Sequence, residues 1–146
     1  EVMNFTECTS NCVRKFRLTT NIVWAVAGVC ESIATSSGAD GTAASSALLN
    51  YPVGLTFNTV GSIFICEFNN NMIRKVTTTD GIISVYAGTG SPSNSGDGGP
   101  ASSAHVDSPH GIFSDSVGNV YISSYNEYLV RAVNTLGIIR TYCGKY

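Results

Sequence analysis

The sequence has little charge and no long apolar run. Charged residues make up 12% of the 146 residues, and the formal net charge is −2. Because no basic patch is present, we expect no nucleic acid partner. No apolar run approaches the roughly 20 residues that cross a bilayer, so we expect no membrane span. Apolar residues form 43% of the chain, and this balance is typical of an ordered fold rather than a disordered one.

The start of the chain lacks an initiator methionine and the features of a signal peptide. We therefore interpret Glu1 as the first residue of a mature or trimmed chain. The 5 cysteines are many for a cytosolic protein of this length, and Asn4-Phe5-Thr6 is the single N-glycosylation sequon. Together these features predict a secreted or cell-surface protein that is glycosylated at Asn4.

Histidine is scarce, and this argues against catalysis. The chain has 2 histidines, His105 and His110, whereas catalytic zinc is held by about three protein ligands. Ser102 and Ser103 lie near both in sequence, but the flanking glycines of a nucleophile elbow are missing. We therefore predict no catalytic residue, no metal and no cofactor.

The chain contains an internal repeat. Residues 40–47, Asp-Gly-Thr-Ala-Ala-Ser-Ser-Ala, return as residues 97–104, Asp-Gly-Gly-Pro-Ala-Ser-Ser-Ala, at an offset of 57 (97 − 40). A third, partial copy places residues 11–28 on residues 71–88 at an offset of 60 (71 − 11). The two histidines thus lie in one copy of a repeated unit, and we expect the residues around them to serve structure.

Each unit contains short runs rich in Ile, Val, Phe and Tyr. In the middle unit these runs cover residues 52–57, 62–66, 72–76 and 82–86, and turns rich in Asn, Asp and Gly separate them. No segment carries a helical apolar stripe over more than a turn or two. The pattern predicts an all-β fold in which a complete unit is a propeller blade of four antiparallel strands.

The repeat resembles that of the NHL-repeat β-propellers. The matching pieces are Gly-Asp-Gly-Gly-Pro-Ala at 96–101, Pro-His-Gly-Ile at 109–112, Gly-Asn-Val-Tyr-Ile at 118–122, Asn-Met-Ile-Arg-Lys-Val at 71–76 and Tyr-Ala-Gly-Thr-Gly at 86–90. The resemblance covers nearly the whole chain and is weakest over residues 1–10 and 29–39. It implies blades that are usually closed into a ring and that mostly bind partners, although some members are lyases or hydrolases.

The chain is too short to close a ring by itself. When residues 2–6 are aligned with residues 62–66, the first unit begins at its second strand. We therefore expect three, four and four strands in a single domain, with units at about 1–30, 31–90 and 91–146. Propellers close with about four to eight blades. The array should stay open and present two apolar faces that a partner must cover.

The prediction for function follows from these two faces. We expect an extracellular structural or adhesive module, without enzymatic activity, that associates head to tail with copies of itself into a ring or a glycosylated filament. A partner strand could also fill the vacancy in the first unit. Two alternatives stay open: a fragment of a larger propeller lyase or hydrolase, and a receptor domain that binds glycans or proteins on the loops near 29–39 and 89–108.

Charged residues recur at two positions of the repeat. Asp40 and Asp97 lie in equivalent loops, and each supplies one carboxylate, which is too few for calcium. We expect both to hydrogen-bond the loop backbone. Arg14, Arg74 and Arg131 share one blade position. We expect them to tie adjacent blades together through carbonyls or a carboxylate rather than to bind acidic glycans.

The cysteines predict two disulfides. Cys8 and Cys12 flank a predicted hairpin turn, and residues so placed face each other at a distance that a disulfide allows. Cys30 and Cys66 fall on the same side of a blade and form the second predicted pair. Cys143 is then left over, either to bond another molecule or to remain a buried free thiol.

Overall fold

The computed structural model of the protein describes residues 1–144. In this part of the chain, strands form three antiparallel sheets of 3, 5 and 4 strands, and the all-β prediction is confirmed. Short 3₁₀ turns lie at Ala44–Ser46, Phe68–Asn70 and Ala101–Ser103. No helix within residues 1–144 has the length and apolarity needed to cross a bilayer.

Blade I, the 3-stranded sheet, has the order β1-β2-β3. Its strands are β1 (Val2–Glu7), β2 (Cys12–Arg17) and β3 (Ile22–Ala27). Asn11 and Asn21 close the two hairpins with φ angles of 55° and 53°, which Asn adopts more readily than most residues. The blade begins at the second strand of the repeat, as the alignment predicts.

Blade II is complete and has one strand more than predicted. Its four main strands are β5 (Pro52–Phe57), β6 (Ile63–Glu67), β7 (Met72–Val76) and β8 (Ile82–Ala87). A short outer strand, β4 (Thr42–Ala43), pairs with β8. This fifth strand forms because the link from blade I runs beside β8, where the Gly41 N–H donates to the Ile83 carbonyl at 2.9 Å.

Blade III is the 4-stranded sheet, in the order β12-β11-β10-β9. Its strands are β9 (Pro109–Ser114), β10 (Val120–Ser124), β11 (Leu129–Val133) and β12 (Ile139–Cys143). The link from blade II also approaches the outer strand here, but the pairing is a single bridge between Pro100 and Ile138.

Two apolar cores lie between the blades. Side chains alternate across a strand, so β6 sends Ile63 and Ile65 to one core and Phe64 and Cys66 to the other. The core between blades I and II is built on Val13, Ala27, Ala44, Ala47, Leu49, Ile63, Ile65, Val76 and Ile83. The core between blades II and III is built on Phe64, Cys66, Ile73, Ala87, Ala101, Ala104, Val106, Val120, Ile122, Val133 and Ile139. Each large side chain buried there contributes about 1.5–3 kcal/mol.

The first strands of blades II and III lie side by side. A Cβ atom on Gly54 of β5 would stand 2.3 Å from the His110 carbonyl oxygen of β9, so only glycine allows this approach. On the other side of β5 lies β1, where the Thr6 hydroxyl donates to the Val53 carbonyl at 3.0 Å. The blades are therefore arranged around a common centre, and blade I lacks the strand that would lie nearest to it.

The disulfide pattern differs from the prediction. Cys12 is bonded to Cys30, with their Cα atoms 5.0 Å apart. The predicted Cys8–Cys12 disulfide is wrong because Cys12 pairs with Glu7 across the hairpin, which leaves Cys8 in the turn beyond the ladder. The predicted Cys30–Cys66 disulfide is also wrong. Cys66 is buried on the side of blade II that faces blade III, away from blade I.

Three cysteines are free thiols within the chain: Cys8, Cys66 and Cys143. Burial raises the pKa of the Cys66 thiol well above its usual value, so this group stays protonated and unreactive. Cys143 is exposed at the end of the outer strand β12. The buried-thiol alternative for Cys143 is therefore wrong, whereas an intermolecular disulfide stays a prediction.

Candidate functional site

The free side of blade III carries exposed aromatic rings. We call this surface the blade III end face, and it consists of Phe113, Tyr121 and Tyr142. Tyr121 meets Tyr142 edge to face at a ring-centroid distance of 5.2 Å and stacks beside Phe113 at 6.4 Å. Phe113 is 61% exposed and Tyr142 is 67% exposed. A contiguous aromatic patch of this kind marks an interaction surface.

The same positions are covered in blade II. Phe64 corresponds to Tyr121 at the offset of 57 (121 − 64). Tyr86 corresponds to Tyr142 at an offset of 56 (142 − 86), and their strands follow the same register. Phe64 and Tyr86 also meet edge to face, at 4.6 Å. Because blade III packs on them, Phe64 is only 3% exposed, and burial raises the pKa of Tyr86 to about 12.

Blade I also has a free apolar side, which we call the blade I end face. It consists of Met3, Phe5, Phe16 and Val23. Met3 is 52% exposed and Val23 is 43% exposed. The corresponding residues of blade II lie 60 positions later and pack against blade I: Ile63, Ile65, Val76 and Ile83. None of those four is more than 6% exposed.

An aromatic cleft of about 640 Å³ opens where the first strands of blades II and III begin. It is lined by Cys8, Tyr51, Val53, Phe68, Asn69, His110 and Tyr125. The Phe68 ring is central, with its centroid 6.0 Å from that of Tyr51 and 6.3 Å from that of His110. Cys8, Phe68 and Tyr125 are repeat equivalents, so all three blades contribute. The lining residues include rings, phenol hydroxyls and an amide but no carboxylate, lysine or arginine, which suits a ligand without strong charge.

A buried arginine holds the link between blades I and II. The Arg74 guanidinium bonds the Asp40 carboxylate at 2.8 Å, and it donates to the Gly38 carbonyl at 3.2 Å. The other Asp40 oxygen accepts the Val85 N–H at 3.0 Å. Asp40 thus binds the backbone of β8 together with the arginine, rather than the backbone of its own loop. Each of its carboxylate oxygens thus has one partner within the chain.

The equivalent arginine of blade III makes the same contacts. Arg131 bonds the Asp97 carboxylate and donates to the His105 carbonyl at 2.5 Å. The second Asp97 oxygen accepts the Thr141 N–H at 2.7 Å. Partial burial pushes the pKa of Asp97 upward, but the hydrogen bonds from Thr141 and Arg131 outweigh it and hold that pKa below its usual value.

Arg14 of blade I makes a different contact. Its Nε atom lies 2.8 Å from a Glu7 carboxylate oxygen, and both side chains are about 30% exposed. Arg74 and Arg131 tie the inter-blade links to their own blades through carbonyls and a carboxylate, whereas Arg14 pairs only within blade I.

Sequence reasoning missed one buried acid, Glu67. It is 0% exposed, and its carboxylate accepts hydrogen bonds from the Ser37 hydroxyl at 2.6 Å and from the Asn50 N–H at 2.9 Å. The same carboxylate lies 3.3 Å from the Arg74 guanidinium. The available signal was the recurrence of a glutamate seven positions before the arginine, since Glu7 precedes Arg14 by the same interval (14 − 7, 74 − 67).

The two histidines have different surroundings. The His105 Nδ1 atom lies 2.9 Å from the Ser95 hydroxyl, while the His110 ring lies in the aromatic cleft. Among the described residues, one group has the spacing of metal ligands: Glu7, Cys12 and Cys30. Its two sulfurs are joined in the disulfide, so no thiolate remains there for a metal.

Comparison with known proteins shows the fold. No family model and no curated protein sequence matches the chain. Among solved structures, a Bacteroides thetaiotaomicron protein of unknown function has a TM-score of 0.76 at 21% identity, over 88% of this chain and 31% of that one. Virginiamycin B lyase from Staphylococcus aureus has a TM-score of 0.62 at 17% identity, over 99% of this chain and 38% of that one.

An auxiliary nutrient binding protein from Bacteroides thetaiotaomicron has a TM-score of 0.59 at 18% identity, over 82% of this chain and 31% of that one. The chain thus spans 31% to 38% of the length of these three proteins. At such identities the likeness concerns the fold alone. The chain is an open array of β-propeller blades.

Proposed function

We propose that this chain is a secreted, non-enzymatic structural module of the NHL-repeat type that binds copies of itself head to tail. The supporting observation is that its two end faces correspond to the two faces that already meet inside the chain. The Cys12–Cys30 disulfide is in keeping with a secreted protein.

The contact between blades II and III is the template for this association. Blade II contributes its aromatic side, with Phe64 and Tyr86, and blade III contributes its aliphatic side. That aliphatic side consists of Val120, Ile122, Val133 and Ile139. The blade III end face lies at the repeat position of that aromatic side. The blade I end face lies at the repeat position of that aliphatic side, although it includes Phe5 and Phe16. Docking one on the other repeats a contact that the protein already makes.

Such a contact is heterologous, because each copy uses two different surfaces. Repeated head to tail, it closes into a ring if the rotation allows and otherwise continues as a filament. Two copies supply about the number of blades found in a six-bladed propeller. A glycosylated filament is the open form of the same assembly.

The test is the mass of the purified chain in solution, measured by light scattering over a range of concentrations. We expect dimers or larger species that dissociate on dilution. Tyr142→Arg and Val23→Arg each place a charge on one end face, and each should reduce the assembly. Val117→Arg is the matched control, because Val117 is 73% exposed in a turn. A wild-type chain that stays monomeric at every concentration contradicts the proposal.

Mixing the two end-face variants tests the head-to-tail geometry. Tyr142→Arg retains an intact blade I end face, and Val23→Arg retains an intact blade III end face. The mixture should therefore form a one-to-one complex and nothing larger, while each variant alone stays monomeric. If the mixture forms no complex although the wild type assembles, the copies meet through other surfaces.

A second candidate function is that of a segment of a longer propeller enzyme or binding protein. Two observations favour it. The solved structures with this fold are much longer than the chain. The aromatic cleft is concave and lined mostly by apolar and aromatic side chains, as ligand-binding sites usually are. Native mass and metal analysis of the protein from its source separates the two. A single longer polypeptide with bound metal supports the enzyme, and repeated copies of this chain support self-association.

A further inference from the structure

The N-glycosylation sequon lies beside a groove between two blades. Asn4 is half-buried in β1. Its side chain faces blade II and lines a groove of about 260 Å³ between blades I and II. An attached sugar would therefore begin inside the array rather than on an outer loop.

The repeat shows what this position holds in a complete blade. Asn4 corresponds to Phe64, and Val26 corresponds to Tyr86, both at the offset of 60 (64 − 4, 86 − 26). Phe64 and Tyr86 pack edge to face at 4.6 Å and line the corresponding groove between blades II and III. In blade I, smaller side chains replace both rings.

The walls of the groove suit a sugar ring. Apolar surface comes from Val26, Phe57, Ile63 and Val76, and polar groups come from Lys15, Thr77 and Thr78. N-acetylglucosamine has an apolar ring face and a polar edge of hydroxyl and amide groups. The first set of residues can pack against the ring face, and the second can hydrogen-bond the edge.

We propose that Asn4 carries an N-linked glycan whose first N-acetylglucosamine fills this groove and takes the structural place of the Phe64 ring. In the attachment, the Asn4 side-chain nitrogen forms a bond to C1 of the sugar and loses a proton. The bond from C1 to a lipid pyrophosphate carrier breaks, and the carrier leaves with the bonding electrons. The inference rests on the secretory route in the proposed function, but not on self-association.

The attachment precedes folding. The Thr6 hydroxyl, which the sequon requires, donates to the Val53 carbonyl at 3.0 Å in the folded chain. Asn4 itself lies in a strand that is paired with β2. The sequon is therefore accessible only before blade I packs against blade II.

The test uses the full chain secreted from a eukaryotic host that attaches only high-mannose glycans, which endoglycosidase H can cleave. Mass spectrometry of the peptide that contains Asn4 should show an attached glycan. Endoglycosidase H should leave a single sugar without changing the melting temperature. Complete removal with peptide-N-glycosidase F, which leaves an aspartate at position 4, should require unfolding of the chain, and refolding should then give a melting temperature lower by roughly 2–4 °C.

Two variants separate the role of the sugar from that of the asparagine. Asn4→Phe restores the ring of the other blades and should melt close to the glycosylated protein. Asn4→Asp should melt as low as the enzymatically deglycosylated chain, and the neutral Asn4→Gln should also melt below the glycosylated protein. An unoccupied Asn4, equal melting temperatures for all forms, or removal of the glycan at the same rate from folded and unfolded protein overturns the inference. Because the groove lies within one chain, light scattering of the same samples reports the fate of self-association separately.

Discussion

The Arg74 guanidinium binds the Asp40 carboxylate at 2.8 Å across 34 residues of sequence, and it is completely buried. The same guanidinium lies 3.3 Å from the buried Glu67 carboxylate. The Arg74 side chain thus connects strand β7 both to the link between blades I and II and to a buried acid. The contact matters for stability, because a charged group that is buried without a partner is very costly.

We therefore predict that Arg74→Met destabilises the fold by about 3–5 kcal/mol, the usual cost of leaving a buried charge without its partner. The matched control is Arg14→Met, since Arg14 pairs with Glu7 at a site where both side chains are about 30% exposed, and it should cost no more than about 1 kcal/mol. Urea unfolding followed by tyrosine and tryptophan fluorescence measures both. Equal losses for the two variants would show that the burial of Arg74 has no special importance.

The close approach of β5 and β9 predicts a contrast between two glycines. Gly54→Ala would place a methyl group 2.3 Å from a backbone carbonyl of the next blade, and we expect a loss of about 1–3 kcal/mol. The repeat equivalent Gly111 has no following blade within the described residues, and its added methyl group would meet only the Ser123 hydroxyl at 2.8 Å. Because that side chain can rotate and gives up only its hydrogen bonds with the Gly111 backbone, Gly111→Ala should cost less. A larger loss at Gly111 would contradict the blade order.

The Cys12–Cys30 disulfide closes a loop of 18 residues. Replacing both cysteines by serine should destabilise the fold by about 2–4 kcal/mol, because the unfolded chain gains freedom. Cys8→Ser is the control and should have little effect on thermal unfolding. If Cys8→Ser is as harmful as the double replacement, the disulfide is assigned to the wrong residues.

Thiol labelling distinguishes the exposed free cysteine, Cys143, from the buried one, Cys66. An alkylating reagent should modify Cys143 rapidly in the folded protein, because its side chain is exposed. Cys66 should react only after unfolding, since it is buried and its thiol remains protonated. Peptide mass mapping before and after denaturation measures how much of each cysteine is alkylated. Fast native labelling of Cys66 would mean that blades II and III separate readily.

Acid should destabilise the fold through its depressed carboxyl groups. The pKa of Asp97 is held below its usual value, as is that of Asp115, where the Asn119 side chain donates a hydrogen bond. These two carboxyl groups therefore bind protons more tightly in the unfolded chain than in the folded one. The stabilisation that they provide is complete above their unfolded pKa of about 3.9, and it is lost as the pH falls through their folded pKa. Asp97→Asn should lower the melting temperature at pH 7 but approach the wild type in acid. If the melting temperatures of the two proteins differ by the same amount at every pH, the prediction is wrong.

The sequence by itself determined the strands and their repetition. The predicted runs at 52–57, 62–66, 72–76 and 82–86 agree with β5 to β8 to within one residue at each end. Strand formation depends on local patterns of β-branched residues and turn residues, and these recur in each copy. The missing first strand of blade I follows from the same alignment.

Only the tertiary structure decided the pairing of Cys12 with Cys30, the burial of Glu67 and the composition of the aromatic cleft. These features depend on how the inter-blade links cross the sheets, and the links are the least regular parts of the repeat. Tyr121 and Tyr142 show the same division. Their place in the strand is set by local pattern, but whether that place is buried or free depends on whether another blade stands beside it.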